Sequence, residues 1–308
     1  MLSNGGLTMG TALTEVVRRI TDRAPSQLVQ LAWRVREVVA PKPWPFDEAA
    51  VGLYRCEQKG RGVLSYPAYL YGLLAAARTA QAVGVNAVTA LEFGVAGGNG
   101  LRAMQRHAQV VSAWYGLDVT IVGLDSGGGL LPSSEPRDCA FALQEGEFAM
   151  DHAALAPHLE GIELVLGDVE STVTSLTSRI ADGDLPPLGF VAHDLDVYRG
   201  TLAALTALGA LPVEAVLPRV PMYFDDLSGY PYTTQTGERA AIDDFNQVSD
   251  TRKIGRVENL EQTLGGSAHW ANWPRHVHLM HVFDHPAYNA AERVAHADLR
   301  LRDTSSGR

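Results

Sequence analysis

Cysteine is nearly absent from this chain. Its 308 residues hold two, Cys56 and Cys139. They are too few and too far apart for a disulfide framework or a zinc knuckle, so a reducing cytoplasm is the expected setting. Long apolar runs are missing as well: no stretch approaches the ~18–20 apolar residues of a membrane span, so no membrane role is expected. The first ten residues, MLSNGGLTMG, have no basic stretch leading into an apolar one. They read as a flexible arm and not as a signal peptide. Basic charge is in deficit, with 25 Lys and Arg against 35 Asp and Glu and a net charge of −10. General nucleic-acid binding needs a basic face, and this balance argues against it. There is no internal repeat and no low-complexity tract.

What is present describes a globular chain with a core. Hydrophobic residues make up 46% and charged residues 19%, too apolar for disorder. Residues 11–39 carry an apolar stripe at helical spacing, broken near Pro25. Pro41, Pro43 and Pro45 then stop regular structure. A second good helix begins after Tyr66-Pro67. Residues 11–84 therefore read as a helical extension that would cap a site or build a homodimer. Residues 85–290 form a second unit, and residues 291–308 are a C-terminal tail.

In that second unit, short apolar runs alternate with helical stretches. AVTALEFG, VTIVGLD, IELVLGD, LGFVAHDLD and RVPMYFDD each read as a buried strand ending near an acidic residue. Helices are expected at 101–115, 141–155, 169–180 and 198–208. HVHLMHVFDHP alternates and suits a strand of a terminal hairpin. Near-continuous apolar strands separated by helices indicate an α/β fold with a mostly parallel sheet covered on both faces. Ligands of such sheets bind at the carboxyl ends of the strands, where the acidic residues fall.

Glu92-Phe93-Gly94-Val95-Ala96-Gly97-Gly98-Asn99-Gly100 links a strand to a helix. Glycines there permit a tight turn and close backbone approach to a ligand. No Gly-Lys-Ser/Thr follows, so it is not a P-loop, and the G-x-G-x-x-G dinucleotide spacing is absent. An acidic residue two positions before the first glycine suits a ligand bearing positive charge better than a pyrophosphate. The next strand ends at Asp125-Ser126, where a carboxylate can accept both hydroxyls of a ribose. The third ends at Asp168-Val169, placed to meet an adenine amino group and its ring. Glu92, Gly94, Gly98, Asp125 and Asp168, in this order, resemble the class I S-adenosylmethionine-dependent methyltransferases over roughly residues 87–285. The resemblance implies a Rossmann-like methyltransferase sheet with a terminal antiparallel hairpin. It also implies S-adenosylmethionine held by Tyr66, Glu92, Gly94, Gly98, Asn99, Asp125, Ser126, Asp168, Val169 and Asp194. Packing of the helical arm is the competing reading for Tyr66.

His193-Asp194-Leu195-Asp196-Val197-Tyr198 ends one strand and Asp225-Asp226 ends the next. Adjacent strand ends would bring Asp194, Asp225 and Asp226 around one hard cation, since neighbouring carboxylates repel without one. The pattern is similar to the macrocin O-methyltransferase type of metal-dependent enzyme. That resemblance implies magnesium on Asp194, Asp225 and Asp226, positioning two hydroxyl oxygens of a small-molecule acceptor such as a natural product, a sugar or a diol. Helix capping and solvation are the competing readings of these acids. Candidate general bases are His193, Asp196, His269 and His285. His276, His278 and His281 mark one side of a strand and do not have the spacing of a zinc site. Residues 226–246 suit a lid leading into a short helix over 238–248. Arg219 and Arg239 are the basic residues nearest the acidic pair; Trp270 and Trp273 read as packing residues, with lining of a substrate pocket by their polar loop as the alternative. An NAD(P)-dependent oxidoreductase and a non-catalytic S-adenosylmethionine-binding regulatory subunit are the alternatives to the methyltransferase.

Overall fold

The computed structural model describes residues 66–261, 272–290 and 292. The arm at 1–10, the helix expected at 11–39, His269 and Trp270 lie outside them, as does nearly all of the tail expected at 291–308. The described chain opens with α1 (Pro67–Val83). It continues through β1 (Ala87–Phe93), α2 (Asn99–Tyr115) and β2 (Asp118–Asp125). After a long excursion come α3 (His152–Leu155), β3 (Ile162–Leu166) and α4 (Val169–Ala181). Then follow β4 (Leu188–His193), α5 (Tyr198–Gly209) and β5 (Arg219–Phe224). The last elements are α6 (Gly237–Val248), β6 (Arg252–Arg256) and β7 (Val277–Val282).

These strands form one seven-stranded sheet in the order β3-β2-β1-β4-β5-β7-β6. The first five are parallel, and β7 runs antiparallel between β5 and β6. This is the mostly parallel, doubly wound sheet with a terminal antiparallel pair that the strand pattern leads one to expect. The partner of the last strand, RKIGR, has too few apolar residues to announce itself. It is an edge strand, and the Asn246 side chain occupies both backbone groups of Ile254 on its open side.

Burial explains the texture of the strands. Six of the seven residues of β1 and all six of β4 are buried, because helices cover both faces. On one face α1 lies tight against β4. A Cβ at Gly72 would sit 2.2 Å from the Phe190 ring. Next to it Tyr69 packs edge-on against Phe190 and Tyr223.

The sheet order reverses between β1 and β4, and the crevice of a doubly wound sheet opens at such a point. Here the loops after the two strands touch. The amide of Asp194 donates to the Phe93 carbonyl at 2.8 Å. Gly94 has φ +81, and a Cβ there would lie 1.7 Å from the Asp194 carbonyl oxygen.

One expected element is absent. Residues 141–155 do not form a helix; turns fill most of the span, and only His152–Leu155 is helical. The excursion 126–151 carries Gly127, Gly128, Gly129, Pro132, Pro136 and Gly146, which break regular structure on both sides of any nucleus. Two tethers hold its middle. The Asp138 carboxylate accepts from the Arg199 amide at 2.8 Å in the first turn of α5, and the Arg137 guanidinium lies 3.6 Å over the Tyr198 ring.

The contact at Gly94 predicts a contrast. Gly94→Ala should lower unfolding free energy by about 2–5 kcal/mol, from the left-handed backbone and the collision together. Gly84 has a similar φ of +77 but nothing within 4 Å. Gly84→Ala should cost only the backbone part, about 1 kcal/mol. Denaturant unfolding of the two variants measures the difference.

Candidate functional site

A cavity of about 490 Å³ opens at the carboxyl edge of the sheet, where β1, β2, β3, β4 and β5 end. That is a size typical of small-molecule sites. Gly94, Ala96, Asp125, Ser126, Asp168 and Val169 line one half. Asp194, Asp196, Asp225, Asp226 and Tyr232 line the other.

Asp125 is a clamp as well as a lining residue. One of its oxygens accepts from the amides of Val95 at 2.7 Å and Ala96 at 2.9 Å, and the other from Gly127 at 2.6 Å. The carboxylate thus fixes the glycine loop to the end of β2. Asp168 caps α4, accepting from the Glu170 amide at 3.0 Å. Val169 follows at the first helical position and faces the cavity.

Four residues assigned to the cofactor from sequence, Glu92, Gly98, Asn99 and Tyr66, are not among those lining this cavity. Glu92 is fully buried beneath the glycine loop and accepts from the Tyr69 hydroxyl at 2.7 Å. Burial lifts its carboxyl to about 8, and the Tyr69 bond offsets part of that rise. A Cβ at Gly100 would lie 1.7 Å from Glu92 Oε1, so Glu92 supports the loop from below. Gly98 leaves room for Leu155 of α3, whose Cδ1 a Cβ would meet at 2.1 Å. Asn99 opens α2 and is exposed. Tyr66 is half-buried beside Tyr69, at 5.1 Å between rings, and is also outside the lining. Burial first, then the charges of Glu92, Asp194 and Asp225, push its hydroxyl pKa up.

The expected bases separate sharply. His193 is sealed between the rings of Phe93 at 5.2 Å and Phe224 at 4.5 Å. Burial, and then His278, pull its imidazole down to about 3. It points into the sheet's packing and reaches no substrate, so the role of base is withdrawn from it. The alternation of residues along β4 explains this, since His193 and Asp194 face opposite ways. His285 lies past the end of β7, beyond Val282, which bonds to Pro218 at the amino edge of β5. It is therefore at the wrong edge of the sheet. Arg219 is at that edge too, bound to Glu292 and to the carbonyls of Tyr288 and Ala290. Asp196 alone of the described candidates lines the cavity. It sits at φ +62 with Tyr232 donating its hydroxyl to it.

Asp194, Asp225 and Asp226 each offer a carboxylate oxygen, all within 4.8 Å of one another. This all-oxygen set fits a hard divalent cation. Asp194 is raised to about 8 by burial, then by the charge of Asp225. Asp226 is raised to about 8 by burial, then by Asp196. A divalent ion would relieve both effects. The Tyr223 hydroxyl donates to Asp225 at 2.6 Å and orients it.

Glu238 has no signal in the sequence beyond a place in the first turn of a helix. It is fully buried and accepts from two amides, Asp226 at 3.1 Å and Leu195 at 3.4 Å. Asp226 in turn accepts from the Asp196 amide at 3.0 Å. One buried carboxyl on α6 therefore ties together the loops after β4 and β5. Burial, and then Asp226, hold its own pKa well above the usual carboxylate range. Only tertiary placement makes this residue visible.

No family model matches the chain, and no curated protein matches it. Solved structures do. CalS11, a calicheamicin methyltransferase, is 19% identical, with a TM-score of 0.46 over 84% of this chain and 96% of that one. An apo structure of CalS11, described as a TDP-rhamnose 3'-O-methyltransferase, is 19% identical at a TM-score of 0.39, over 82% and 92%. The plantazolicin methyltransferase BpumL in complex with S-adenosylhomocysteine is 12% identical at 0.31, over 87% and 98%.

The Glu238 clamp predicts the effect of its loss. Glu238→Ala leaves two buried amides without acceptors, which costs about 1–3 kcal/mol each. Divalent-cation binding should weaken with it, while Glu238→Gln, which keeps an acceptor oxygen, should retain more of both. Thermal unfolding and a magnesium titration of the two variants check this.

Proposed function

We propose that this chain is an S-adenosylmethionine-dependent methyltransferase that methylates a hydroxyl of a small molecule with the help of a divalent cation, magnesium in the first instance. The carrying observation is a single cavity with two chemically different halves at the carboxyl edge of the sheet. One half has strand-end carboxylates at Asp125 and Asp168, suited to a ribose and an adenine. The other has three carboxylates close enough to share an ion.

S-adenosylmethionine, when bound, supplies an electrophilic methyl group on a sulfonium. The chain's own residues supply geometry and charge. Asp125 holds the glycine loop in the shape that accepts the methionine end and presents its remaining lone pair to the ribose. Asp168 and Val169 meet the adenine. The negative edge formed by Asp194 and Asp225 favours the positive sulfonium. Asp194, Asp225 and Asp226 would hold the cation, which lowers the pKa of a bound hydroxyl. Asp196 lines the same half and is the described residue placed to take the hydroxyl proton. Tyr232 keeps it oriented. His269, the other candidate base, lies outside the described residues. A cavity of this kind gives no basic track for a nucleic acid, and among the described residues no helix is long and apolar enough to cross a membrane.

Calorimetric titration tests the cofactor half. S-adenosylhomocysteine should bind and NAD should not. The reverse result would replace this reading with a nicotinamide-dependent oxidoreductase. Asp125→Ala should weaken S-adenosylhomocysteine by about 1–3 kcal/mol through lost charge-assisted hydrogen bonds. Asp225→Ala should leave that affinity nearly unchanged and abolish the magnesium isotherm.

The acidic half sets a pH dependence. Asp194 and Asp226 are carboxylates with folded-state values near 8, above the unfolded value. Between about pH 4 and pH 8 the folded protein binds more protons than the unfolded chain, so stability falls as pH rises through that window. A divalent ion competes with those protons. Magnesium should bind more tightly at pH 8.5 than at pH 6.5, and should raise the melting temperature more at the higher pH. Equal stabilisation at both values would remove these two carboxyls from the cation site.

A further inference from the structure

We infer that the acceptor half of the cavity selects an uncharged or cationic hydroxyl compound and rejects one carrying a phosphate or carboxylate. The inference rests on the methyltransferase reading of the site and specifies its substrate class.

The argument is one of charge placement. Asp194, Asp196, Asp225 and Asp226 surround this half, and no lysine or arginine lines it among the described residues. Arg199 is the one such cation lining any part of the cavity. It lies at the start of α5 and ion-pairs with Asp138 and Glu170, at 3.3 Å each. Two arginines on nearby elements are also committed. Arg239 donates to the Leu227 carbonyl at 2.6 Å, and Arg137 covers the Tyr198 ring while bonding Glu135 and Asp244. Both Arg199 ion pairs run through Nε, on the side of Asp138 and Glu170, and among the described residues no other cation lines the cavity to receive an anionic group. A divalent ion would balance half the charge of the four carboxylates, so the surroundings would stay negative. In a partly desolvated cavity, that field acts on a charged acceptor with little screening.

The test uses three diols on one ring that differ in charge: dopamine, 4-propylcatechol and 3-(3,4-dihydroxyphenyl)propanoate. The full chain is first titrated with S-adenosylhomocysteine, then with each diol, with magnesium and with EDTA. The anion should bind on the order of tenfold or more weakly than the neutral diol, and dopamine at least as tightly as the neutral one. The gap should narrow in high salt and in Asp196→Asn. An anion that binds as tightly as the neutral diol overturns the inference. So does a gap unchanged by salt and by Asp196→Asn, or failure of dopamine to bind. Loss of S-adenosylhomocysteine binding strikes the methyltransferase reading instead. S-adenosylhomocysteine binding with no charge preference strikes only the substrate class.

Discussion

Carboxylates are crowded at the end of β4 and β5, and much of the surrounding structure exists to hold them there. Beyond the effect of burial, Asp196 raises the pKa of Asp194, Asp196 and Asp194 raise that of Asp226, and Asp226 raises that of Glu238. Such a cluster is costly in a folded protein unless protons, hydrogen-bond donors or a cation offset it. The chain provides donors from several directions. Tyr223 donates to Asp225 and Tyr232 to Asp196, while backbone amides serve Asp226 and Glu238. A cation would complete the balance. The raised carboxyls follow from this one constraint, and the pH dependence and acceptor preference proposed above rest on it.

The other half of the cavity depends on backbone instead of charge. The glycine loop is held from above by Asp125 and from below by Glu92. Its contact with the loop after β4 is so close that only glycine fits at position 94. The wall opposite is the irregular excursion 126–151, which has little regular structure of its own. Asp138 and Arg137 fasten it to α5 and α6. Arg137 bonds Asp244 on α6, and Asp244 accepts from Tyr198 as well, at 2.6 Å.

Local sequence made the parallel sheet legible. Strands buried on both faces read as apolar runs, and β1, β2, β4 and β5 show them. The strand-end positions of Asp125, Asp168, Asp194 and Asp225 follow from where those runs stop. Residues 141–155 have a composition that suits a helix. Glycines and prolines on either side, and the tethers at 137 and 138, override that composition. β6 was missed because an edge strand needs no apolar run.

Composition, period and spacing fixed what repeats along the chain: which segments are strands, which edge carries the acids, and where the glycine turn falls. They did not decide which way a side chain faces when neighbours of the same kind differ only by one position. His193 and Asp194 are adjacent, yet one is sealed between phenylalanines and the other faces a ligand site. They also did not reveal partners from distant segments. Glu238 is 43 residues from Leu195, and Asp138 is 61 from Arg199. Those contacts arise only when the sheet order brings β4 beside β5 and folds the excursion and α6 across their ends. The sequence set the chemistry available at the carboxyl edge, and the tertiary packing decided which groups reach the cavity and which merely hold it open.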